Sequence, residues 1–328
     1  MRNTTSVLAV ASLCVVVAAC AQTGGSQSEE DNISFPERAI KLVIPFAPGS
    51  STDVVGRVMA ECYERQLGQA VTVENRDGGS GSIGMTEAAQ AKPDGYTLVY
   101  GSTSSSTLTP ALNADVTYDI ESFAPIGAVT VTPSFIVVAK DSPYDSLKDL
   151  VEAGQGRTLA VIDSGITTIS GVSAEGLATN YGLQIKHVPA TSIAEIRRGL
   201  EQGDFDFGVG NVSPDTVPWI VDKQMKVLGI AADETPEWAA DTPTMKSAGY
   251  GDGQLPGAGN LGFIAAPVGT NAAILEKLEE TNKSCVQDET VMDLVGTEVL
   301  APEGLDRETL LETLRQTAIA LNELGPTS

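Results

Sequence analysis

The amino-acid sequence predicts an α/β protein with two lobes, each a mixed, mostly parallel sheet flanked by helices, and a cleft between the lobes. Short β-rich runs alternate with amphipathic helical patterns, which is typical of sheets covered by helices. The alternation falls into two series that meet near Pro133. Roughly 290 residues follow the amino-terminal segments, enough for a core in each of two lobes.

The first series contains three short strands and two helices. The helix over 52–67 carries apolar residues on one face, and Gly68 is expected to end it. A Pro-Asp-Gly turn at 93–95 leads into the third strand. The predicted strands are 39–46, 71–74 and 96–100, and the predicted helices are 52–67 and 82–91.

The second series has the pattern of an independent α/β unit. Its predicted strands are 135–139, 158–162, 184–188 and 205–209, and its helices are 147–153, 169–180 and 192–202. The rest of the chain is predicted as a helix at 217–223, strands at 227–231 and 261–265, and helices at 272–286 and 307–324. We assign 35–132 together with 230–328 to one lobe, and 133–229 to the other.

The amino terminus has the pattern of a signal peptide over residues 1–19. Arg2 precedes an apolar run at 7–17 that is shorter than the roughly 20 residues needed to cross a bilayer. Val17-Ala18-Ala19-Cys20 resembles a bacterial lipobox, in which the cysteine becomes the acylated first residue of the mature protein. An ordinary secretory cleavage site is the alternative, and either one exports the protein.

Residues 20–34 are rich in Gly, Ser and acids, which predicts a solvated tether behind a lipidated Cys20. The expected location is extracytoplasmic, with the lipid anchor in the cell membrane, on its periplasmic side or at the outer surface. Two acyl chains or more are needed for stable anchoring.

The chain is strongly acidic, with a formal net charge of −23 at pH 7, so nucleic acid is not an expected partner. An anionic solute is compatible with this charge, because salt screens charges beyond about 8 Å whereas donors in a cleft act directly. Cys62 and Cys285 lie in predicted helices of one lobe. Export permits a disulfide between them, and two buried thiols are the alternative.

Two polar loops lie between a predicted strand and a helix, where open sheets present ligand-binding groups. In the first loop, residues 48–53, Gly49 permits a ligand to approach the backbone closely, and the following helix offers free N–H groups to an anion. One residue of 51–53 is expected to cap this helix, but six small polar residues exceed what a cap needs. The second loop, 163–168, repeats the arrangement. The polar run 101–107 lines the same cleft or forms a flexible surface loop.

Two sequence features raise enzymatic alternatives. Residues 79–84 match the G-x-G-x-x-G pattern, but the segment about 20 positions further on contains no acid to hold a ribose. His187 is the sole histidine, so a Ser-His-Asp triad would have to use it, and the chain contains no G-x-S-x-G elbow. We therefore expect no catalytic residue, no cofactor and no metal, with a secreted hydrolase using His187 as the weaker alternative.

An ordered set of motifs runs along the folded region. The motifs are Ile44-Pro-Phe-Ala-Pro-Gly-Ser-Ser-Thr-Asp53 with Arg57, Val73-Glu-Asn-Arg76 with Gly78 and Gly84, Pro93-Asp-Gly-Tyr-Thr-Leu98, Asp119 with Phe123-Ala-Pro125, Val188-Pro189, Pro243-Thr-Met245 with Ala248-Gly-Tyr250, and Pro267 with Gly269-Thr270. On these motifs, residues 35–324 resemble the substrate-binding receptors of tripartite tricarboxylate transporters, the TctC or Bug family.

The resemblance implies a type II-like periplasmic-binding-protein fold whose two lobes close over a small carboxylate. It also implies that the loop at 46–53 and its counterpart in the second lobe hold the carboxylate through backbone groups, hydroxyls and water, without an arginine clamp. The sequence departs from the family pattern at Ser50, in the helix over 169–177 and at 190–192. These positions lie where the far end of the solute would be recognised.

The predicted function is a monomeric, lipid-anchored receptor that captures a mono- or dicarboxylate and delivers it to the membrane subunits of a transporter. A receptor that signals to a membrane sensor shares every residue-level feature and is the alternative. The expected ligand-binding residues are Phe46, Ala47, Gly49, Ser50, Ser51, Thr52, Asp53, Ser102, Thr103, Ser164, Gly165, Thr167, Thr168, Ala190 and Asn211.

Overall fold

A computed structural model describes residues 34–166, 168–190, 192–213, 216–232, 235–249, 259–302 and 305–324. The predicted signal peptide, the lipidation site Cys20 and the tether up to residue 33 lie outside the described residues, as does the expected ligand contact Thr167. Within the described ranges, no helix has both the length and the apolar composition needed to cross a membrane.

Strands and helices alternate along the described chain. The strands are Ile40–Ile44 (β1), Val71–Asn75 (β2), Thr97–Ser102 (β3), Phe123–Val138 (β4), Leu159–Asp163 (β5), Ile185–Pro189 (β6), Phe207–Asn211 (β7), Lys226–Ile230 (β8) and Gly259–Pro267 (β9). The helices are Ser51–Leu67 (α1), Ser82–Ala89 (α2), Thr109–Leu112 (α3), Leu147–Gly154 (α4), Ile169–Tyr181 (α5), Ile193–Glu201 (α6), Val217–Val221 (α7), Ala272–Val286 (α8), Glu289–Val295 (α9) and Arg307–Leu324 (α10).

The strands form two sheets that share β4. In the first sheet the order is β2-β1-β3-β9-β4, with β1, β2 and β3 mutually parallel and β9 antiparallel to both neighbours. In the second sheet β6, β5 and β7 run parallel, and β4 lies antiparallel between β7 and β8. In each sheet, one described strand therefore runs against the other four, as the mostly parallel prediction requires.

Strand β4 differs from the prediction. The sequence places a strand at 135–139, whereas β4 begins at Phe123 and runs through the proposed lobe boundary at 132/133. Its first part pairs with β9 and its last part with β7 and β8. Pro125 and Gly127 suggest a break, but the register with β9 shifts at this point, and such irregularities accommodate a residue that cannot donate to the ladder.

Most other elements match their predicted bounds within a few residues. Gly68 ends α1 in the left-handed conformation, with φ of 69°, as expected for a glycine C-cap. Helix α9 was not predicted, and it begins where Asp288 caps the N–H groups of Thr290 and Val291. Its seven residues are too short to show a strong apolar period.

Helices α1 and α8 are joined by a disulfide between Cys62 and Cys285, whose Cα atoms lie 5.8 Å apart. Beside it, the Tyr63 hydroxyl donates to Asn282 Oδ1 over 2.9 Å, and Asn282 Nδ2 donates to the carbonyl of Ala128 in β4. All of these side chains are buried. The pairing predicted from the sequence is thus present, and it fixes two helices against the first sheet.

Candidate functional site

The first candidate loop connects β1 to α1. Gly49 adopts a positive φ of 82°, a conformation that favours glycine. The N-cap of α1 is Ser50, whose hydroxyl accepts the N–H of Asp53 over 3.2 Å. The expectation that a residue of 51–53 caps the helix is therefore wrong, because α1 begins one residue earlier than predicted and the serine before it has the extended conformation of a cap.

The buried side chain of Asp53 holds this loop in place through hydrogen bonds. The residue is 3% exposed, and its Oδ2 accepts the backbone N–H of Gly49 over 2.8 Å. Arg57 forms an ion pair with it at 2.9 Å, and Asn75 Nδ2 donates to Oδ1 over 2.8 Å. Burial alone would raise the pKa of Asp53, but the hydrogen bonds from the arginine, the loop N–H and the amide outweigh it and lower the pKa to about 2.

These contacts leave the outer groups of the loop available. Asn75 also donates to the Phe46 carbonyl over 3.0 Å, which fixes the start of the loop, and Ala47 is exposed. Neither the Ser51 nor the Thr52 hydroxyl bonds to any other side chain or backbone group within the described ranges, and both are at least partly accessible. The loop therefore presents free hydroxyl donors beside the first N–H groups of a helix.

The second candidate loop connects β5 to α5 and has the same construction. Gly165 has a positive φ of 111°, and its N–H donates to Oδ1 of the fully buried Asp163 over 2.6 Å. Thr168 is the N-cap of α5, and its hydroxyl donates to the Gly165 carbonyl over 2.7 Å. Ser164 is exposed, and its hydroxyl has no partner among the described residues. Ala190 lies alongside, donating its N–H to the Asp163 carbonyl over 2.7 Å.

His187 of β6 joins this loop to two carboxylates. Its Nδ1 lies 2.6 Å from Asp163 Oδ2, and its Nε2 lies 2.9 Å from Glu175 Oε1. Burial would lower the pKa of His187, but the hydrogen bonds and charges of Asp163 and Glu175 exceed that effect and raise the pKa above its usual value of 6.5. From the sequence, a lone histidine at the end of a strand is most often structural, and a catalytic role is the weaker alternative. Its contact with Asp163 of this loop was not predicted.

The polar run at 101–107 is not a flexible surface loop. It forms the end of β3 and a π-helical turn at Ser104–Leu108, and most of its side chains are buried. Ser102 Oγ accepts the N–H of Ser105 over 3.2 Å, and Thr103 Oγ1 accepts the N–H of Leu261 over 3.0 Å. The serine and threonine hydroxyls satisfy backbone groups inside the protein, as buried polar groups must.

Packing brings the three segments together. A Cβ on Gly81 would lie 3.0 Å from Ser105 and 3.3 Å from the ring of Phe46, so the first loop adjoins the π-helical turn through a glycine. Leu108, at the end of that turn, forms an apolar cluster with Ile169 and Val172 of α5 and with Leu321. The start of α5, which carries the second loop, is thereby placed against the same turn.

Polar groups from three strands lie near this junction. Asn211, at the end of β7, donates to Ser134 Oγ over 3.2 Å and to the Thr132 carbonyl over 3.3 Å. Asn260 of β9 accepts the N–H of Ser104 over 3.3 Å, and the Thr132 hydroxyl donates to its carbonyl over 2.9 Å. Sequence reasoning missed Asn260, although asparagine is uncommon inside a strand and could have been a signal.

The G-x-G-x-x-G match is explained by packing. A Cβ on Gly84 would lie 2.8 Å from Cα of Pro45, so α2 could not approach the end of β1 with a larger residue. Gly78 and Gly79 have positive φ values of 125° and 57° in the turn before α2. These glycines serve the turn and the close approach of helix and strand.

A sequence model of the tripartite tricarboxylate transporter family receptor, TctC, matches residues 55–316. The chain belongs to the TctC family. Proteins of this family are solute-binding receptors and not enzymes, and the geometry of His187 agrees, because both ring nitrogens face carboxylates and neither is left for a nucleophile.

Relatives and solved structures extend the similarity over most of this TctC chain. Protein BugT of Bordetella pertussis is 25% identical over an alignment of 338 residues, which covers 98% of each chain. A solved TctC solute-binding protein from Polaromonas is 21% identical with a TM-score of 0.79, covering 88% of this chain and 98% of the other. MatC from Rhodopseudomonas palustris, solved with bound malate, is 26% identical with a TM-score of 0.67, covering 88% and 99%. The predicted periplasmic-binding-protein fold is confirmed.

Proposed function

We propose that this TctC receptor is held outside the cytoplasm by a lipid on Cys20, captures a small mono- or dicarboxylate, and delivers it to the membrane subunits of a tripartite tricarboxylate transporter. The observation that carries the proposal is the matched pair of loops. Each joins a strand to a helix, contains a glycine with positive φ, and is fixed by a buried aspartate that accepts the glycine N–H. Each also exposes at least one free hydroxyl.

The chemistry of these loops suits a carboxylate held by neutral donors. Ser51, Thr52 and Ser164 offer hydroxyl groups, and the first turns of α1 and α5 offer N–H groups with partial positive charge. Arg57 is engaged with Asp53 and Asn75, so we assign it to the support of the loop. The ligand is expected to bind through hydrogen bonds within the cleft, where the overall negative charge acts weakly.

The malate bound to MatC supports the dicarboxylate class, since MatC is similar over most of its length. A dicarboxylate has two anionic ends, and two donor loops on opposite lobes would match them. We propose that 35–132 with 230–328 forms one lobe and 133–229 the other, and that the lobes close on the acid by bending where β4 passes from one sheet to the other.

A thermal-shift panel tests the capture of a carboxylate. Purified protein is heated with C3 to C9 mono- and dicarboxylates, malate among them, and with acidic amino acids. We expect at least one acid to raise Tm, because a ligand that binds only the folded state stabilises it by about 2.7 kcal/mol at a hundredfold excess over Kd. No shift with any acid would contradict the proposal. Native mass spectrometry of the untreated protein would identify an acid retained during purification.

The lipid anchor has its own test. Cys20→Ser should release the exported protein from the membrane fraction, whereas the wild type should stay with it and carry the added mass of acyl chains. Anchoring holds the receptor near its transporter at high effective concentration, so transport should fall in the released variant while affinity for the acid stays unchanged. A wild-type protein found in the soluble fraction at its unmodified mass would contradict the anchor.

A further inference from the structure

The two candidate loops are held by the same kind of hydrogen bond, but the basic side chain beside the supporting aspartate differs. In each loop a buried aspartate accepts the N–H of the loop glycine, Gly49 in the first and Gly165 in the second. In each, the aspartate also contacts a basic side chain, which is Arg57 for the first loop and His187 for the second. Arginine keeps its charge at every physiological pH, whereas histidine titrates close to neutrality.

The hydrogen bonds of His187 require its protonated form. The carboxylates of Asp163 and Glu175 can only accept, so both contacts are made together when both ring nitrogens carry hydrogen. These two carboxylates come from β5 and α5, the elements packed against β6. The side chain of His187 is 13% exposed and that of Asp163 is fully buried. Loss of one ring proton takes the donor away from one of the two carboxylates, and whichever nitrogen keeps its hydrogen, it also removes the positive charge beside the buried Asp163.

Asp163 transmits this change directly to the candidate binding loop. Its Oδ1 holds the Gly165 N–H at 2.6 Å, and its own carbonyl accepts the N–H of Ala190. The Gly165 carbonyl in turn accepts the Thr168 hydroxyl. A Cβ on Gly171 would clash with that carbonyl, so α5 packs tightly on the loop and a shift of Gly165 would move the first turn of the helix.

We infer that His187 is a positioning residue for carboxylate binding: its imidazolium, held by Asp163 and Glu175, fixes the Gly165 loop, and affinity for the acid therefore falls as pH rises and the ring loses its proton. The first loop has no such dependence, since Arg57 stays charged. This inference rests on the proposed capture of a carboxylate. The acid is therefore expected to bind more tightly at low pH, where His187 is protonated, than at high pH.

Because His187 is the sole histidine, the single imidazole signal in an NMR spectrum can be attributed to it, and that signal follows its titration. In ligand-free protein, we expect that resonance and the Gly165 amide resonance to titrate together, with a midpoint above 6.5, the usual imidazole pKa. Affinity is then measured by calorimetry between pH 6 and pH 9, using malate or the acid that raises Tm most in the panel. A monocarboxylic acid with an ordinary pKa is ionised throughout this range, and a titration of the free ligand corrects for the second ionisation of a dicarboxylic acid near the lower end.

We expect affinity to fall about fivefold or more over that range, and saturation with the acid to raise the pKa of His187 by the corresponding amount, as thermodynamic linkage requires. Glu175→Gln should move both midpoints to lower pH, and His187→Gln should remove the pH dependence. Lys186→Gln is the matched control, because it also removes a potential positive charge from β6 but lies exposed, and it should leave the profile unchanged.

The outcomes are separable. If no acid binds at any pH, the proposed function fails, and the inference about affinity, which rests on it, fails as well. If the acid binds equally well at pH 6 and pH 9 while the imidazole titrates between them, the inference is overturned and the receptor function stands. A pH dependence that survives unchanged in His187→Gln would likewise overturn it.

Discussion

At the residue scale, the two candidate loops are small polar segments held in place by buried carboxylates. Asp53 and Asp163 are almost inaccessible, yet each accepts the backbone N–H of a loop glycine, Gly49 or Gly165. The groups left free for a solute are hydroxyls. Each supporting aspartate is paired with a basic side chain, Arg57 or His187, so the proposed binding of an anion through neutral donors is compatible with a net charge of −23.

Removing the free hydroxyls should weaken binding without unfolding the protein. Ser51→Ala, Thr52→Ala and Ser164→Ala should each reduce affinity for the acid by about 1 kcal/mol, or roughly fivefold, which is the usual contribution of one hydrogen bond. Calorimetry measures the change, and Thr313→Ala on the exposed side of α10 is the control. Unchanged affinity in all three variants would place the site elsewhere.

Asp53 should make the free energy of unfolding depend on pH in the acidic range. Its pKa of about 2 in the folded state lies below the unfolded value near 3.8, so its contribution is present above pH 4 and is lost as pH falls towards 2. We expect wild-type protein to lose about 2 kcal/mol of unfolding free energy through this residue. Asp53→Asn should lack that component in urea titrations from pH 5 to pH 2. An identical pH profile in both proteins would contradict the anchoring role.

At the element scale, two helices distant in sequence are joined into one unit. The bridge between α1 and α8 links residues 223 positions apart, and the Tyr63–Asn282 hydrogen bond lies beside it. Helix α1 carries the first loop at its amino end and the disulfide near its carboxyl end. The cross-link therefore holds the helix that presents Ser51 and Thr52 in a fixed position.

Loss of the disulfide should be costly, because it closes a very long loop. Chain entropy predicts about 5 kcal/mol for a loop of this size. We expect the double variant Cys62→Ala, Cys285→Ala to unfold at lower urea concentration than the wild type. Dithiothreitol should lower the midpoint of the wild type and leave that of the double variant unchanged. Equal masses of alkylated wild-type protein with and without prior reduction would show that no bridge forms.

Sequence pattern was most informative where an element is regular. The bounds of α8 and α10 match the predicted ranges because both helices have long amphipathic periods and clear ends. The sequence pattern was least informative for β4, where prolines and a glycine are typical of the end of a strand. It also misled at the π-helical turn Ser104–Leu108, where a run of polar residues is typical of a surface loop. In both cases partners far along the chain satisfy the backbone, and local composition does not contain that information.

At the scale of the whole molecule, β4 is the physical link between the two sheets. Phe123–Pro133 pairs with β9, and the following residues pair with β7 and β8. The two proposed lobes are therefore connected through a continuous strand. They are also in contact through an apolar cluster, in which Leu108 and Leu321 pack against the start of α5. Motion between the proposed lobes must change one or both.

Closure on the acid should make the molecule more compact. Small-angle scattering should show a smaller radius of gyration with a saturating acid from the panel than without it, because the proposed bending at β4 would bring the two candidate loops together. An acid that does not raise Tm is the control and should leave the scattering unchanged. A tightly bound acid with no change in the radius of gyration would indicate that the site forms without closure.

The α/β class and most of the helices and strands could be predicted from the sequence, because periodicity, capping and turn residues are local properties. The lipobox-like pattern before Cys20 and the choice of two loops as candidate anion sites also come from the sequence and remain predictions. Which hydroxyls lack a partner in the protein follows from the tertiary structure alone. It engaged the hydroxyls of residues 102–107 in the interior, left Ser51, Thr52 and Ser164 open, and placed His187 against Asp163. Burial and hydrogen-bond pairing depend on residues distant in sequence, and they determine which side chains can reach a ligand.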